Sequence, residues 1–297
     1  MSTSGGVSAR TQLSMHGILA SPARLICLVL GLLMIPVSAG FYTRSDLAIR
    51  FWPWPDDRMS FIFLSSIGFA VSAVCLFAAL TGEIGGLTPI LLEVVISVTG
   101  MATYLIVRAV RHDEPRLYLF VSGLLVIAVV AAFTYRRARA VILIDTRPLP
   151  RFLRVIAGVF VVLLGLTGIA LMLQVDGAFP WDLQPRTSTM FGWIFLGATS
   201  LFVFIALKPR WSYLATALAG FLAYDVVLFI PYLQALLEDD SNAASSIYRT
   251  TPGAGLTIDD SRLVSYLVVL GISATATIYL LCFYPATRYG RNSQTST

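Results

Sequence analysis

Eight blocks of apolar residues constrain this chain more than any other feature of it. They lie at about 24–42, 60–81, 87–109, 116–135, 152–174, 190–207, 212–237 and 262–285. Each has roughly the 20 residues an α-helix needs to cross a hydrocarbon core about 30 Å thick. No water reaches that core, so each block must satisfy its backbone N–H and C=O groups within its own helix. Of the 297 residues, 57% are apolar and only 12% are charged, and the mean hydropathy is +0.80. Ordinary soluble domains are about 25% charged, so this composition excludes one. The expected fold class is an all-α polytopic membrane protein with eight transmembrane helices.

A short aromatic loop occurs twice. It reads Phe51-Trp52-Pro53-Trp54-Pro55-Asp56-Asp57-Arg58 in the first half and Phe179-Pro180-Trp181-Asp182-Leu183-Gln184-Pro185-Arg186 in the second. Each copy follows the first apolar block of its half. Sliding the chain by 132 residues places Ile62-Phe63-Leu64 on Ile194-Phe195-Leu196 and Glu93-Val94-Val95 on Asp225-Val226-Val227. The expected layout is two tandem four-helix repeats, 23–140 and 151–286, joined by a linker at 141–150. Polar tails of 1–22, expected to be disordered, and 287–297 flank them. An even number of helices per repeat gives both copies the same orientation, related by an axis along the membrane normal.

The formal charge of +5 comes almost entirely from arginine, Lys208 being the single lysine. Arginines flanking apolar blocks set orientation and meet anionic headgroups, so nucleic acid is not expected as a partner. Arg136, Arg137, Arg139, Arg147, Arg151 and Arg154 crowd the connection between the fourth and fifth blocks. Placing that linker in the cytoplasm places both termini there and turns both aromatic loops outward, in the cytoplasmic (cell) membrane. Residues 25–35 followed by Val37-Ser38-Ala39 imitate a cleaved signal peptide. The matching segment from Arg154 is internal, so the first helix is expected to stay.

Two groups of residues are candidates for function. In the aromatic loops, Trp52, Trp54 and Trp181 are expected at the headgroup level with the indole N–H toward water. Arg58 and Arg186 would grip phosphates or pair with Asp56, Asp57 and Asp182. The loops then form an outward vestibule or, more simply, anchors that set the depth of each repeat. The second group is Glu93 and Asp225, the acids that fall inside apolar blocks. A mid-membrane aspartate costs about 2.5–3.5 kcal/mol on insertion scales, so something must offset it. Ser97, Gly100 and Tyr104 share the Glu93 face at helical spacing, Tyr232 lies two turns past Asp225, and Pro231 is expected to kink that helix. The two acids either line a path for protons, cations or a cationic substrate, or bond neighbouring helices together.

Other chemistry is not expected. Cys27, Cys75 and Cys282 are far apart, and His16 and His112 have no ligand neighbours, so no metal or cofactor is expected. No phosphate-binding loop, His-Glu-x-x-His or Gly-x-Ser-x-Gly occurs, and an enzyme is not expected. His112-Asp113-Glu114 reads as a solvated turn. Transport or permeation, and a non-transporting scaffold or subunit of a membrane complex, both remain open. The expected partners are the lipid bilayer and a protein docking on the acidic 238–261 loop.

Overall fold

Several of the membrane-length helices start or stop at a local signal in the sequence. The computed structural model describes residues 21–237, 250–251, 254–255 and 260–284. The N-terminal tail to residue 20 with His16, the tail 287–297 and most of the proposed docking loop 238–261 lie outside them. Among the described residues eight helices are long and apolar enough to cross a membrane. They are α1 Pro22–Tyr42, α2 Arg58–Thr81, α3 Thr88–His112, α4 Leu117–Ala138, α5 Arg151–Met172, α6 Pro185–Leu207, α7 Trp211–Leu237 and α8 Asp260–Ile278. The last continues as a wider turn over Tyr279–Phe283. The Asp57 carboxylate caps α2 by accepting from Ser60 N, and Gly82 ends the helix at φ 79°, a value that side chains disfavour. Proline in the first turn opens α1, α3 and α6, where its missing N–H is not needed. Pro231 lies inside α7, where it frees the Val227 carbonyl two residues past Asp225.

The order of packing differs from the order of the chain. Helices pair as α1–α2, α3–α4, α5–α6 and α7–α8, and the remaining principal pairings are α2–α7 and α3–α6. Two rows result, α1–α2–α7–α8 and α4–α3–α6–α5, and each takes two helices from either half of the sequence. Helices α2, α6 and α7 are the most buried, while α1 and α5 turn most of their apolar residues outward. Ile26 and Leu33 on α1 and Val155 and Val162 on α5, for example, are exposed hydrophobics. Apolar faces of this extent need a lipid or protein partner, and on helices of membrane length they fit lipid. The protein is a multi-pass membrane protein.

Small and hydroxylated residues make the helix pairs close. Ser65 and Ser72 on α2 donate to the backbone carbonyls of Ser38 and Gly31 on α1, at 2.8 and 2.7 Å. On the other row Ser188 of α6 donates to the Leu171 carbonyl of α5 at 2.7 Å. Lipid tails are as apolar as leucine, so association in a membrane relies on such contacts.

At the end opposite the aromatic loops the linker is tied down. Glu83, buried in the turn after α2, accepts from Ile144 N at 3.0 Å and Asp145 N at 3.1 Å. Residues 147–149 run antiparallel to 209–211, with Leu149 N to Pro209 O at 3.0 Å and Trp211 N to Arg147 O at 2.9 Å. The arginine-rich linker is therefore held between the two halves. Burial pushes the Glu83 carboxyl above the usual range, while the two backbone donors oppose that shift.

Candidate functional site

The two aromatic loops build a buried network at the opposite end. Trp54 sits four residues before the first residue of α2, and Trp181 sits four before the first residue of α6. Each indole crosses to the other half. Trp54 Nε1–H donates to Thr187 Oγ1, in the first turn of α6, at 3.0 Å. Trp181 Nε1–H donates to Ser60 Oγ, in the first turn of α2, at 3.4 Å. Each hydroxyl then passes a hydrogen on: Thr187 Oγ1–H to Asp56 Oδ2, in a very short contact, and Ser60 Oγ–H to Asp57 Oδ2 at 2.7 Å. Backbone donors occupy the remaining oxygens, Asp57 N to Asp56 Oδ1 at 2.9 Å and Ser60 N to Asp57 Oδ1 at 2.8 Å. Gln184 Nε2 closes the arrangement on the Pro55 carbonyl at 3.0 Å.

This placement corrects the expectation that the indole N–H groups of the tryptophans face water. Trp52, Trp54 and Trp181 are 9%, 6% and 3% exposed. Trp52 packs edge-on against Trp54 and against Phe120 of α4, and Trp181 packs on Phe179 and Tyr232. The rings fill the joint between halves. Arg186 pairs with Glu114 at 3.6 Å, beside the Arg108–Glu114 bridge at 2.8 Å, so Glu114 is an ion-pair partner as well as a turn residue. Asp182 is exposed, and Arg58 is half-buried at the start of α2.

Two carboxylates side by side in a buried turn disfavour a double charge. Asp56 is 4% and Asp57 7% exposed. The Asp57 carboxyl is pushed up to about 7, first by burial and then by the charge of Asp56, against the opposing hydrogen bonds from Ser60.

The intramembrane acids face different neighbours. On α3, the Glu93 turn meets α6 so closely that a Cβ added to Gly197 would lie 1.8 Å from Ser97 Oγ and 2.8 Å from the Glu93 carbonyl. Gly100 lies against the Trp193 ring in the same way, and Tyr104 packs on the cluster that holds Trp52 and Trp54. The Glu93, Ser97, Gly100 and Tyr104 face is thus a close helix seam. Asp225 on α7 is 2% exposed and hydrogen-bonds Ser273 on α8. Its Oδ2 has no hydrogen-bond partner among the described residues. The adjacent Tyr224 hydroxyl meets that of Tyr266 at 2.6 Å. Tyr232, fully buried, packs on Trp181 and Tyr266, and its hydroxyl feels the Asp57 charge. Asp57, Tyr232, Tyr266, Tyr224, Asp225 and Ser273 thus form a polar line, with Asp57, Tyr232 and Asp225 buried and the other three half-buried. An apolar cavity of about 100 Å³ adjoins its far end, with Ser273, Thr277, Phe160 and Leu214 on its wall.

Ser60, Thr187, Glu83 and Tyr266 carry much of this arrangement, and sequence reasoning did not single them out. A signal existed for the first two: a hydroxyl residue follows each crossing tryptophan by six positions, Trp54 to Ser60 and Trp181 to Thr187. Among the described residues no cluster of His, Cys, Asp and Glu fit for a metal occurs. No protein-family model, curated protein or solved structure matches the chain.

Proposed function

We propose that the protein moves a proton or a small cation across the membrane, with Asp225 on its path. The observation that carries this is the half-satisfied, buried Asp225 carboxyl at the end of a line of hydroxyl groups that leads to Asp57. An acid inside a membrane is costly to keep, and such residues mark ion and proton pathways. Tyrosine and serine hydroxyls donate and accept, so they relay protons where a phenylalanine would not. Tyr232 is seven residues beyond Asp225, about 10 Å along the helix, and the cavity beside Ser273 extends the line the other way. No catalytic activity is proposed.

The framework of this proposal is a duplicated four-helix unit, with both termini and the arginine-rich linker in the cytoplasm. Three observations support duplication. The helix pairings repeat in the same order in both rows. Phe63 and Phe195, matched by the 132-residue offset, stack on each other with centroids 6.1 Å apart. The Trp54–Thr187 and Trp181–Ser60 bonds cross between halves at equal spacing. A side chain near a twofold axis meets its own counterpart, as the two phenylalanines do.

A non-transporting scaffold is the second reading, favoured by the tight seam at Gly197, Ser97 and Glu93. Flux of protons and alkali cations into reconstituted vesicles separates the two. The expected result is proton or cation flux in the native protein that falls at least tenfold in Asp225→Asn while Glu93→Gln retains it. Absence of flux in the native protein, or full flux in Asp225→Asn with lowered stability, would leave the acids as helix fasteners.

A further inference from the structure

We propose that Asp56 and Asp57, with Ser60, Thr187 and Tyr232, form a proton-binding site that joins the two halves of the molecule at their loop end. This goes beyond transport, because the site would bind its proton whether or not anything crosses the membrane.

The arrangement selects a proton over a metal ion. All four carboxylate oxygens already accept hydrogens, from Asp57 N, Ser60 N, Ser60 Oγ and Thr187 Oγ1. A cation approaching these oxygens meets donor hydrogens. A proton needs only one oxygen and an acceptor for the new O–H. Tyr232 supplies the independent sign of such a ligand. Its side chain is fully buried, its hydroxyl has no hydrogen-bond partner among the described residues, and it lies within electrostatic range of Asp57. A hydroxyl left unpartnered in so dry a place is costly unless some state of the site uses it. Protonated Asp57 is the state proposed: its O–H would turn toward Tyr232 Oη, which lies within electrostatic range but beyond hydrogen-bond distance in this structure, while Ser60 Oγ still accepts from Trp181.

The surrounding charges are few and definite. Asp56 is adjacent, and its negative charge favours the proton on Asp57. Arg58 follows in sequence. Arg44 lies over the Phe61 ring, one residue beyond Ser60. Arg186, next to Thr187, is engaged by Glu114. Tyr266 of α8 stands behind Tyr232. The other donors to the site, Trp54 and Trp181, do not titrate in the accessible range.

Because the proton is held more tightly in the folded state, its contribution to stability has a definite sign. The contribution is complete below the ordinary aspartate range near 4 and is lost as pH rises through about 7.

The test is infrared difference spectroscopy of the purified full chain across pH 4 to 9, following the carbonyl band of protonated carboxyl groups. Asp57→Asn keeps the shape and the helix cap, and Tyr232→Phe keeps the ring, so both are expected to fold. In the native protein one component of the band should titrate near pH 7. It should vanish in Asp57→Asn and move to lower pH in both Asp56→Asn and Tyr232→Phe. The fall in melting temperature between pH 5 and 8 should be smaller in Asp57→Asn than in the native protein. A band unchanged by Asp57→Asn, or one that titrates with ordinary carboxylates in every variant, overturns the site. A mid-range band that Tyr232→Phe leaves in place overturns the role of that hydroxyl.

Discussion

A tryptophan N–H that donates to a hydroxyl which itself donates to a carboxylate forms a chain polarised in one direction. The structure has two such chains, Trp54 to Thr187 to Asp56 and Trp181 to Ser60 to Asp57, and each begins in one half and passes through or ends in the other. Removing the middle member leaves two buried groups without partners. Thr187→Val keeps the side-chain volume but strips the acceptor from Trp54 and a donor from Asp56. It should lower stability by about 2–4 kcal/mol, since each buried unsatisfied group costs about 1–3 kcal/mol. Unfolding by denaturing detergent measures this. Thr187→Ser, which restores the hydroxyl, should recover most of the loss, and a Val variant as stable as the native chain would mean the chains carry no load.

Helix pairs in this molecule are set by small side chains at crossing points, and Gly197 shows how little room there is. Alanine is the better helix former, by about 1 kcal/mol. At Gly197 its methyl group would enter the space of Ser97 Oγ and the Glu93 carbonyl. Gly197→Ala should therefore destabilise the α3–α6 seam by about 1–3 kcal/mol, the usual cost of overpacking. Pairing it with Ser97→Ala should recover part of that. Gly123 on α4 is the control, with open space where a Cβ would go, so Gly123→Ala should leave melting unchanged or raise it. Equal effects at the two glycines would show that the seam is looser than the close approach implies.

At the scale of the whole molecule, the two halves interlock. Helix α2 packs on α7 and α3 packs on α6, Glu83 grips the linker, and the indoles cross at the other end. A half expressed alone would expose the faces and donors meant for its counterpart. Residues 1–140 and 141–297 expressed together should copurify as a stable complex in mild detergent, whereas either fragment alone should be degraded or aggregate. A fragment that purifies by itself as a folded monomer would show that the cross-half contacts are dispensable.

The number of crossings and their approximate bounds were legible in the sequence, because a run of about twenty apolar residues is a local property. So were Glu93 and Asp225, since a charge inside such a run stands out, and so was the recurrence of the aromatic loop. The partner of each helix was decided only by the tertiary structure. In lipid an apolar face gains about as much from hydrocarbon as from another helix, so hydropathy does not say which faces pack. The choice falls to a few glycines, serines and indole N–H groups whose partners lie on other helices or loops, up to 133 residues away for Trp54 and Thr187. The same long-range pairing turned loops that resemble membrane anchors into the buried joint of the molecule.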